Sequence, residues 1–362
     1  MKNMLTRTAL VGSALLLSAT LANAQTTVSG NLAINYKGIS SDKSNAVRKG
    51  YQYFGKEAQI NIANKGKLSN GMEYAAGFSL EFDGANGSPA AGTSGNVAAT
   101  TDNSVSNENV YVDIIMGSTT LTMGIDHIQN STNHSAPFVR NVLDDVAASY
   151  AAMSATDQIG AKTKEAMAIG IVQNIPGTGI NLSALYAPQG GSQGGSDQNP
   201  GNGGRNSSYE IGFTGTDPFG VKGAKIHFFK NKEDASNSSA SVADLEGTTY
   251  GVGYNFGKFA VGVDVHKTNR SNTTGTADAD MKNTMFSATF AATKEITFGA
   301  VYNKNDINGT AADEKIKALQ VGYNLGPVVV TAEYADIENI KGVSTANVSQ
   351  ANQGSVRLST KF

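Results

Sequence analysis

The chain has 362 residues, of which 40% are hydrophobic and 16% charged, with no cysteine and a formal net charge of −2. Without cysteine the fold contains no disulfide and performs no thiol chemistry. A slightly acidic chain also lacks the basic surface that a nucleic-acid partner requires. After residue 24 no apolar run approaches the roughly 20 residues of a membrane-spanning helix, so the composition argues against a helical membrane protein.

Residues 1–24 have the pattern of a secretory signal. Lys2 and Arg7 precede a weakly polar run that ends at Leu21, and Ala22-Asn23-Ala24 is a small-residue cleavage site. An uncleaved membrane anchor is the alternative, but the run is short for a spanning helix and ends in a cleavage pattern. We therefore expect residues 1–24 to be removed on export and residues 25–362 to form a single domain.

From residue 25 to the C-terminus, stretches of about ten residues alternate apolar with polar side chains. The clearest stretch begins at Met72, where apolar side chains recur at every second position up to Phe82. The alternate positions carry three acids, Glu73, Glu81 and, directly after Phe82, Asp83. Successive side chains of a strand point to opposite faces, so this pattern predicts strands whose two faces meet different surroundings. The sequence predicts about sixteen such strands.

The connections between the predicted strands alternate between short and long. Gly117-Ser118 and Gly257-Lys258 are short turns, whereas residues 84–107, 126–157 and 189–208 are long polar segments. Short turns at one end and long loops at the other, with an even strand number, predict an all-β transmembrane antiparallel barrel. A soluble β-sandwich would not keep this order through so many strands. Lipid forces every backbone group to pair within a closed sheet, and at about sixteen strands the interior remains open to water.

The third long loop, from His127 to Asp157, carries its own helical pattern. Leu143, Ala147, Tyr150 and Met153 recur at helical spacing, behind a weak N-cap signal at Asn141. A loop with a short helix and apolar anchors can fold against another surface. We therefore expect this loop to fold inward against the barrel wall.

The last strand, residues 355–362, alternates up to a terminal aromatic residue, Phe362. Together with the signal, the strand count and the segments 108–113 and 120–124 before the third loop, it gives the mature chain a resemblance to the general porins of Gram-negative bacteria. The resemblance implies an outer-membrane location, a homotrimer and passive diffusion of small hydrophilic solutes and ions. It also implies that Phe362 belongs to an assembly signal for the barrel-assembly machinery, and that outer-membrane lipid surrounds the barrel.

The resemblance further implies a constriction where acids of the third loop face basic residues of the wall. The candidate constriction residues are Asp126, Arg140, Asp144, Asp145 and Asp157. The candidate wall residues are Lys37, Glu57, Glu73, Glu81, Asp113, Lys162, Lys164, Lys225, Asp264, Glu333 and Arg357. Asp144 and Asp145 can equally be acids that favour a helix N-terminus, and Arg357 can be an ordinary solvated residue. The scarcity of wall arginines departs from the family pattern.

The sequence offers no pattern for an enzyme, a metal or a cofactor. The four histidines, His127, His134, His227 and His266, lie in no nucleophile–base or metal-ligand motif, and we expect them to be solvated in the lumen or loops. The predicted function is an outer-membrane porin with a mild cation preference. A substrate-selective channel and a surface-binding barrel that conducts nothing, an adhesin, are the alternatives.

Overall fold

The computed structural model describes residues 24–40, 51–81, 106–125, 127–128, 167–188, 207–234, 244–270, 280–308, 310, 312–339 and 350–362. These residues form sixteen strands: β1 Gln25–Ser40, β2 Tyr51–Lys67, β3 Glu73–Glu81, β4 Ser106–Met116, β5 Thr119–Ile125, β6 Ala168–Ile175, β7 Ile180–Ala187, β8 Ser208–Thr216, β9 Ala224–Glu233, β10 Leu245–Phe256, β11 Phe259–Arg270, β12 Met281–Ala291, β13 Ile296–Ile307, β14 Glu314–Asn324, β15 Val328–Glu338 and β16 Gln350–Lys361. In this part of the chain no helix is both long and apolar enough to cross a membrane.

The strands close into one antiparallel barrel in which each strand pairs with its neighbours in sequence. Closure joins β1 to β16, with Asn31 opposite Lys361 at one end of the ladder and Ser40 opposite Asn352 at the other. A closed sheet has no edge, so every strand backbone finds a partner within the wall. The expected all-β barrel of about sixteen strands is therefore confirmed.

The alternation predicted from the sequence separates the two faces of the wall. Apolar side chains such as Val28, Leu182 and Val252 are exposed on the outside, at 64%, 43% and 50% respectively. The residues between them point inward and are mostly polar or small. This arrangement inverts that of a soluble barrel, because the outer face meets lipid chains.

Aromatic side chains gather at the strand ends next to the short turns. Phe256, Phe259 and Phe290 stack in series, with ring centroids 5.8 Å and 4.7 Å apart. Phe213 and Phe228 stack on the neighbouring strands at 6.2 Å. In a chain without tryptophan, Tyr and Phe form the interfacial girdle that such barrels carry.

The C-terminal residue completes the closure. The backbone of Phe362 exchanges two hydrogen bonds with Gly30 of β1, at 2.9 and 3.1 Å. The ring of Phe362 lies over the same glycine, where an added Cβ would come within 2.5 Å of its Cζ. The glycine therefore leaves room for the terminal aromatic ring on the outer wall.

Several strands are longer than the alternation alone indicates. For example, β14 begins at Glu314, before the clear alternation of that strand, and β8 extends to Thr216. The predicted helix of the third loop lies outside the described residues. Only His127 and Ile128 of that loop are described.

Candidate pore lumen

The inward face of the barrel carries most of the predicted wall residues. Seven of them are buried or partly buried on this face: Glu57, Glu81, Asp113, Asp264, Glu333, Lys37 and Arg357. Glu73 and Lys225 lie on the same face but are exposed, near the short-turn end of the wall. Two wall candidates, Lys162 and Lys164, lie outside the described residues. So do all the constriction candidates: Asp126, Arg140, Asp144, Asp145 and Asp157.

Three further inward carboxylates were not identified from the sequence. Glu210, Glu233 and Glu314 are buried, at 0%, 2% and 0% exposure. Glu210 could have been found, because it lies between the outward Tyr209 and Ile211. Glu233 and Glu314 were missed because they occupy strand ends that extend beyond the recognisable alternation.

Side-chain amides donate hydrogen bonds to several carboxylates of the inner wall. Asn231 donates to Glu210 at 3.0 Å, Asn305 to Glu314 at 2.6 Å, and Gln320 to Glu333 at 2.7 Å. Asn283 extends the network by donating to both Asn303 and Asn305. These amides satisfy carboxylate oxygens that would otherwise be buried without a hydrogen-bond partner.

One cation of the wall is held by an ion pair across the barrel closure. The Arg357 guanidinium donates to a Glu57 carboxylate oxygen at 2.8 Å, although the two residues are 300 positions apart. They meet because β16 and β2 are the two neighbours of β1. Asn31 of β1, between them, donates to the other oxygen of Glu57 at 3.4 Å.

The two strand histidines are not solvated, which corrects the sequence-based expectation. His227 and His266 are only 3% and 1% exposed. His227 lies 3.3 Å from Asp264 across β10, where Gly251 leaves room for the contact. His266 lies 3.2 Å from the Thr249 hydroxyl. The alternation placed both rings correctly on the polar face, but packing around a concave wall excludes water from them.

The first residues of the third loop lie against the inner wall. The His127 ring stacks on Tyr111, with centroids 3.4 Å apart, and its Nε2 is 3.1 Å from Asp113. Thr122 donates to the same carboxylate at 2.6 Å. Ile128 is buried in a cluster with Ala168, Leu185 and Ala187. The chain therefore turns inward as it leaves β5, in the direction expected for an inward-folded loop.

The arrangement of the described inner wall supports a polar passage. Among the described residues, no group of three or more His, Asp or Glu side chains could hold a metal ion. The inner wall instead presents fixed carboxylates, amides and hydroxyls along its length. Such a lining suits the passage of hydrated solutes.

Comparison with solved structures places this barrel among bacterial porins in fold. Vibrio cholerae OmpT, described as in-vitro folded and in trimer form, superposes with a TM-score of 0.60 and 13% identity, covering 94% of this chain and 99% of that one. The anion-selective porin from Comamonas acidovorans gives a TM-score of 0.61 at 13% identity, covering 94% and 100%. A variant of the Rh. blastica porin gives 0.56 at 14% identity, covering 93% and 100%.

Sequence comparison identifies the family. No curated protein sequence matches this chain significantly. The family model described as Gram-negative porin, however, matches residues 8–342, nearly the whole chain. With the closed barrel of sixteen strands, this match gives the protein an outer-membrane location and a channel-forming fold. The chain belongs to the Gram-negative porin family.

Proposed function

We propose that the protein is a general diffusion porin for small hydrophilic solutes and ions, with a mild preference for cations. The observation that carries the preference is an excess of carboxylates on the inner wall. Among the side chains that the structure describes, eight carboxylates face inward and are buried or partly buried: Glu57, Glu81, Asp113, Glu210, Glu233, Asp264, Glu314 and Glu333. Only Lys37 and Arg357 oppose them in that part of the wall.

The remaining inward lysines lie elsewhere. Lys65, Lys67, Lys225 and Lys361 are exposed near the short-turn end, as is Glu73. Their charges are screened by the solvent at the mouth of the barrel, whereas charges inside a low-dielectric wall act on passing ions more strongly. The field within the described wall is therefore negative and concentrates cations.

Two opposite substitutions test the preference. We expect E57Q to shift the reversal potential in a KCl gradient towards anions and R357Q to shift it towards cations. A unit charge about 8 Å from an ion in water contributes about 0.5 kcal/mol, so each shift corresponds to roughly a twofold change in permeability ratio.

The matched control is E338Q, because Glu338 belongs to the outer face and pairs there with Lys317 at 2.6 Å. It should leave the reversal potential unchanged. An anion-selective wild-type channel, the property named for the Comamonas porin, would refute the proposed preference.

The same recordings distinguish the alternatives. A general porin gives linear conductance that is unaffected by added solutes. Concentration-dependent block by one class of solute would indicate a substrate-selective channel. A correctly folded barrel that conducts nothing would favour the surface-binding adhesin.

We further propose that the mature protein begins at Gln25 and assembles as a homotrimer in outer-membrane lipid. Strand β1 begins at Gln25, which supports cleavage after Ala24. The trimer form of the structurally similar OmpT supports the assembly state. The constriction role of Asp126, Arg140, Asp144, Asp145 and Asp157, and entry through the barrel-assembly machinery, remain predictions from the resemblance.

A further inference from the structure

The charged side chains at the short-turn end of the barrel are mostly lysines. Together with Glu73, four of them point into the lumen beside the turns: Lys65, Lys67, Lys225 and Lys361. The turns themselves hold Asp217 and Glu295 and three further lysines: Lys222, Lys258 and Lys294. This end therefore carries seven lysines against three acids, a net side-chain charge of +4. The carboxylate of Phe362 and, after the proposed cleavage, the amino group of Gln25 also lie here and cancel each other.

The inner wall above these turns has the opposite sign. It holds the eight inward carboxylates described above against Lys37 and Arg357. The excess of acids extends to the chain as a whole, because residues 25–362 contain 26 basic and 30 acidic side chains once Lys2 and Arg7 are removed from the count. Beyond the short-turn end, 19 bases and 27 acids therefore remain. The mature chain is basic at the short turns and acidic elsewhere.

The basic and the acidic zone are separated along individual strands. Lys65 and Glu57 share the inward face of β2 and are eight residues apart, as are Lys225 and Glu233 on β9. At about 3.3 Å per residue, each pair spans about 27 Å along its strand. The Debye length is about 8 Å at physiological ionic strength and about 30 Å at 0.01 M. The zones therefore act separately at physiological salt, whereas in dilute salt the field of each zone extends through the passage.

We propose, on the basis of the channel function proposed above, that these two zones make the channel an electrical rectifier at low ionic strength. The acidic zone concentrates cations and the lysine zone concentrates anions. A voltage that is positive on the long-loop side drives both kinds of ion towards the boundary between the zones, where they accumulate and carry current. The opposite voltage drives both kinds of ion away from the boundary and depletes it.

The lysines of the short-turn end thus set the direction in which the channel conducts best. In outer-membrane barrels the short turns face the periplasm and the long loops face the exterior. The conducting polarity is therefore the one in which the exterior is positive. In dilute media it favours the entry of cations and the exit of anions. At high salt both zones are screened and the conductance becomes linear.

Current–voltage curves of the refolded mature protein, with equal KCl on both sides of a planar bilayer, test the proposal. At 1 M KCl, where the Debye length is about 3 Å, we expect equal currents in the two polarities. At 0.01 M KCl we expect the current with the long-loop side positive to be about twice the current with that side negative.

The orientation of the inserted barrel must be known for the sign of this effect. The chain has no cysteine, so S118C places a unique thiol in an exposed short turn. After biotinylation of this thiol, streptavidin is too large to pass the barrel and binds only from the short-turn side. A change of the current on adding streptavidin to one chamber therefore identifies that side.

Matched variants separate the lysines of the lumen from those of the outer wall. K65Q/K225Q/K361Q should bring the current ratio at 0.01 M close to one, while Lys67 is retained because it lies directly opposite Glu73. The control K230Q/K267Q/K282Q removes the same charge from exposed outward positions of β9, β11 and β12. It should not lower the ratio.

Three results would overturn the proposal in barrels that fold normally, as judged by heat-modifiable migration. The first is equal currents in the two polarities at 0.01 M, and the second is a larger current with the long-loop side negative. The third is a ratio that K65Q/K225Q/K361Q leaves unchanged, which would assign the rectification to the shape of the passage or to other charges. A barrel that conducts nothing at either salt concentration would refute the proposed channel function together with this inference.

Discussion

At the scale of single residues, glycines determine which contacts the inner wall can form. An added Cβ at Gly251 would lie 2.4 Å from Asp264 Oδ1, 2.8 Å from the Val263 carbonyl oxygen and 3.0 Å from His227 Nε2. The glycine therefore allows a histidine of β9 to reach a carboxylate of β11 across the strand between them. A side chain at this position would separate the two groups and press on the backbone of β11.

We predict that G251A destabilises the barrel by about 1–3 kcal/mol, the usual cost of overpacking. The measurement is the urea concentration at which heat-modifiable migration is lost. The matched control is G354A, because an added Cβ at Gly354 meets nothing within 4 Å. A urea midpoint for G251A equal to that of the control would mean that the wall accommodates the added methyl group without loss of stability.

At the scale of elements, the terminal strand carries the closure of the barrel. Residues 352–361 of β16 pair with β1 in continuous register, and Phe362 adds a bonded pair with Gly30. The Phe362 side chain covers Gly30, a position at which β1 has no side chain. The terminal aromatic ring therefore stabilises the seam between the first and last strands, in addition to the assembly role that the family resemblance implies.

We predict that F362A slows folding into lipid vesicles and lowers the yield of closed barrel, because the seam loses its aromatic cover while the backbone bonds remain. Time-resolved gel migration measures both quantities. F298A is the control, since Phe298 is an outward aromatic on β13 that is 48% exposed, and β13 borders neither β1 nor β16. Equal slowing in both variants would show a general need for aromatic residues and no special role of the seam.

At the scale of the whole molecule, the barrel separates two environments that require opposite chemistry. The outer wall is apolar with aromatic girdles, and the inner wall holds carboxylates bonded to amides. A closed hydrogen-bonded cylinder of this kind retains its shape without a packed apolar core. The same closure creates the passage that the porin family uses.

We predict that the refolded mature protein inserts into planar bilayers as steps grouped in threes, because each proposed trimer brings three separate passages. Mass measurement in detergent gives the assembly state independently. Single steps from a monomeric species would contradict the trimer while leaving the channel itself intact.

The sequence by itself determined the barrel class, a strand number of about sixteen and the faces of the residues in its alternating stretches, and it predicts an export signal in residues 1–24. These properties are local: a period of two places side chains on alternate faces, and Gly-rich turns interrupt it. The tertiary structure alone decided that Arg357 meets Glu57 and that His227 and His266 lose their water. These contacts depend on register and on the closure of β1 with β16, which join residues far apart in the chain.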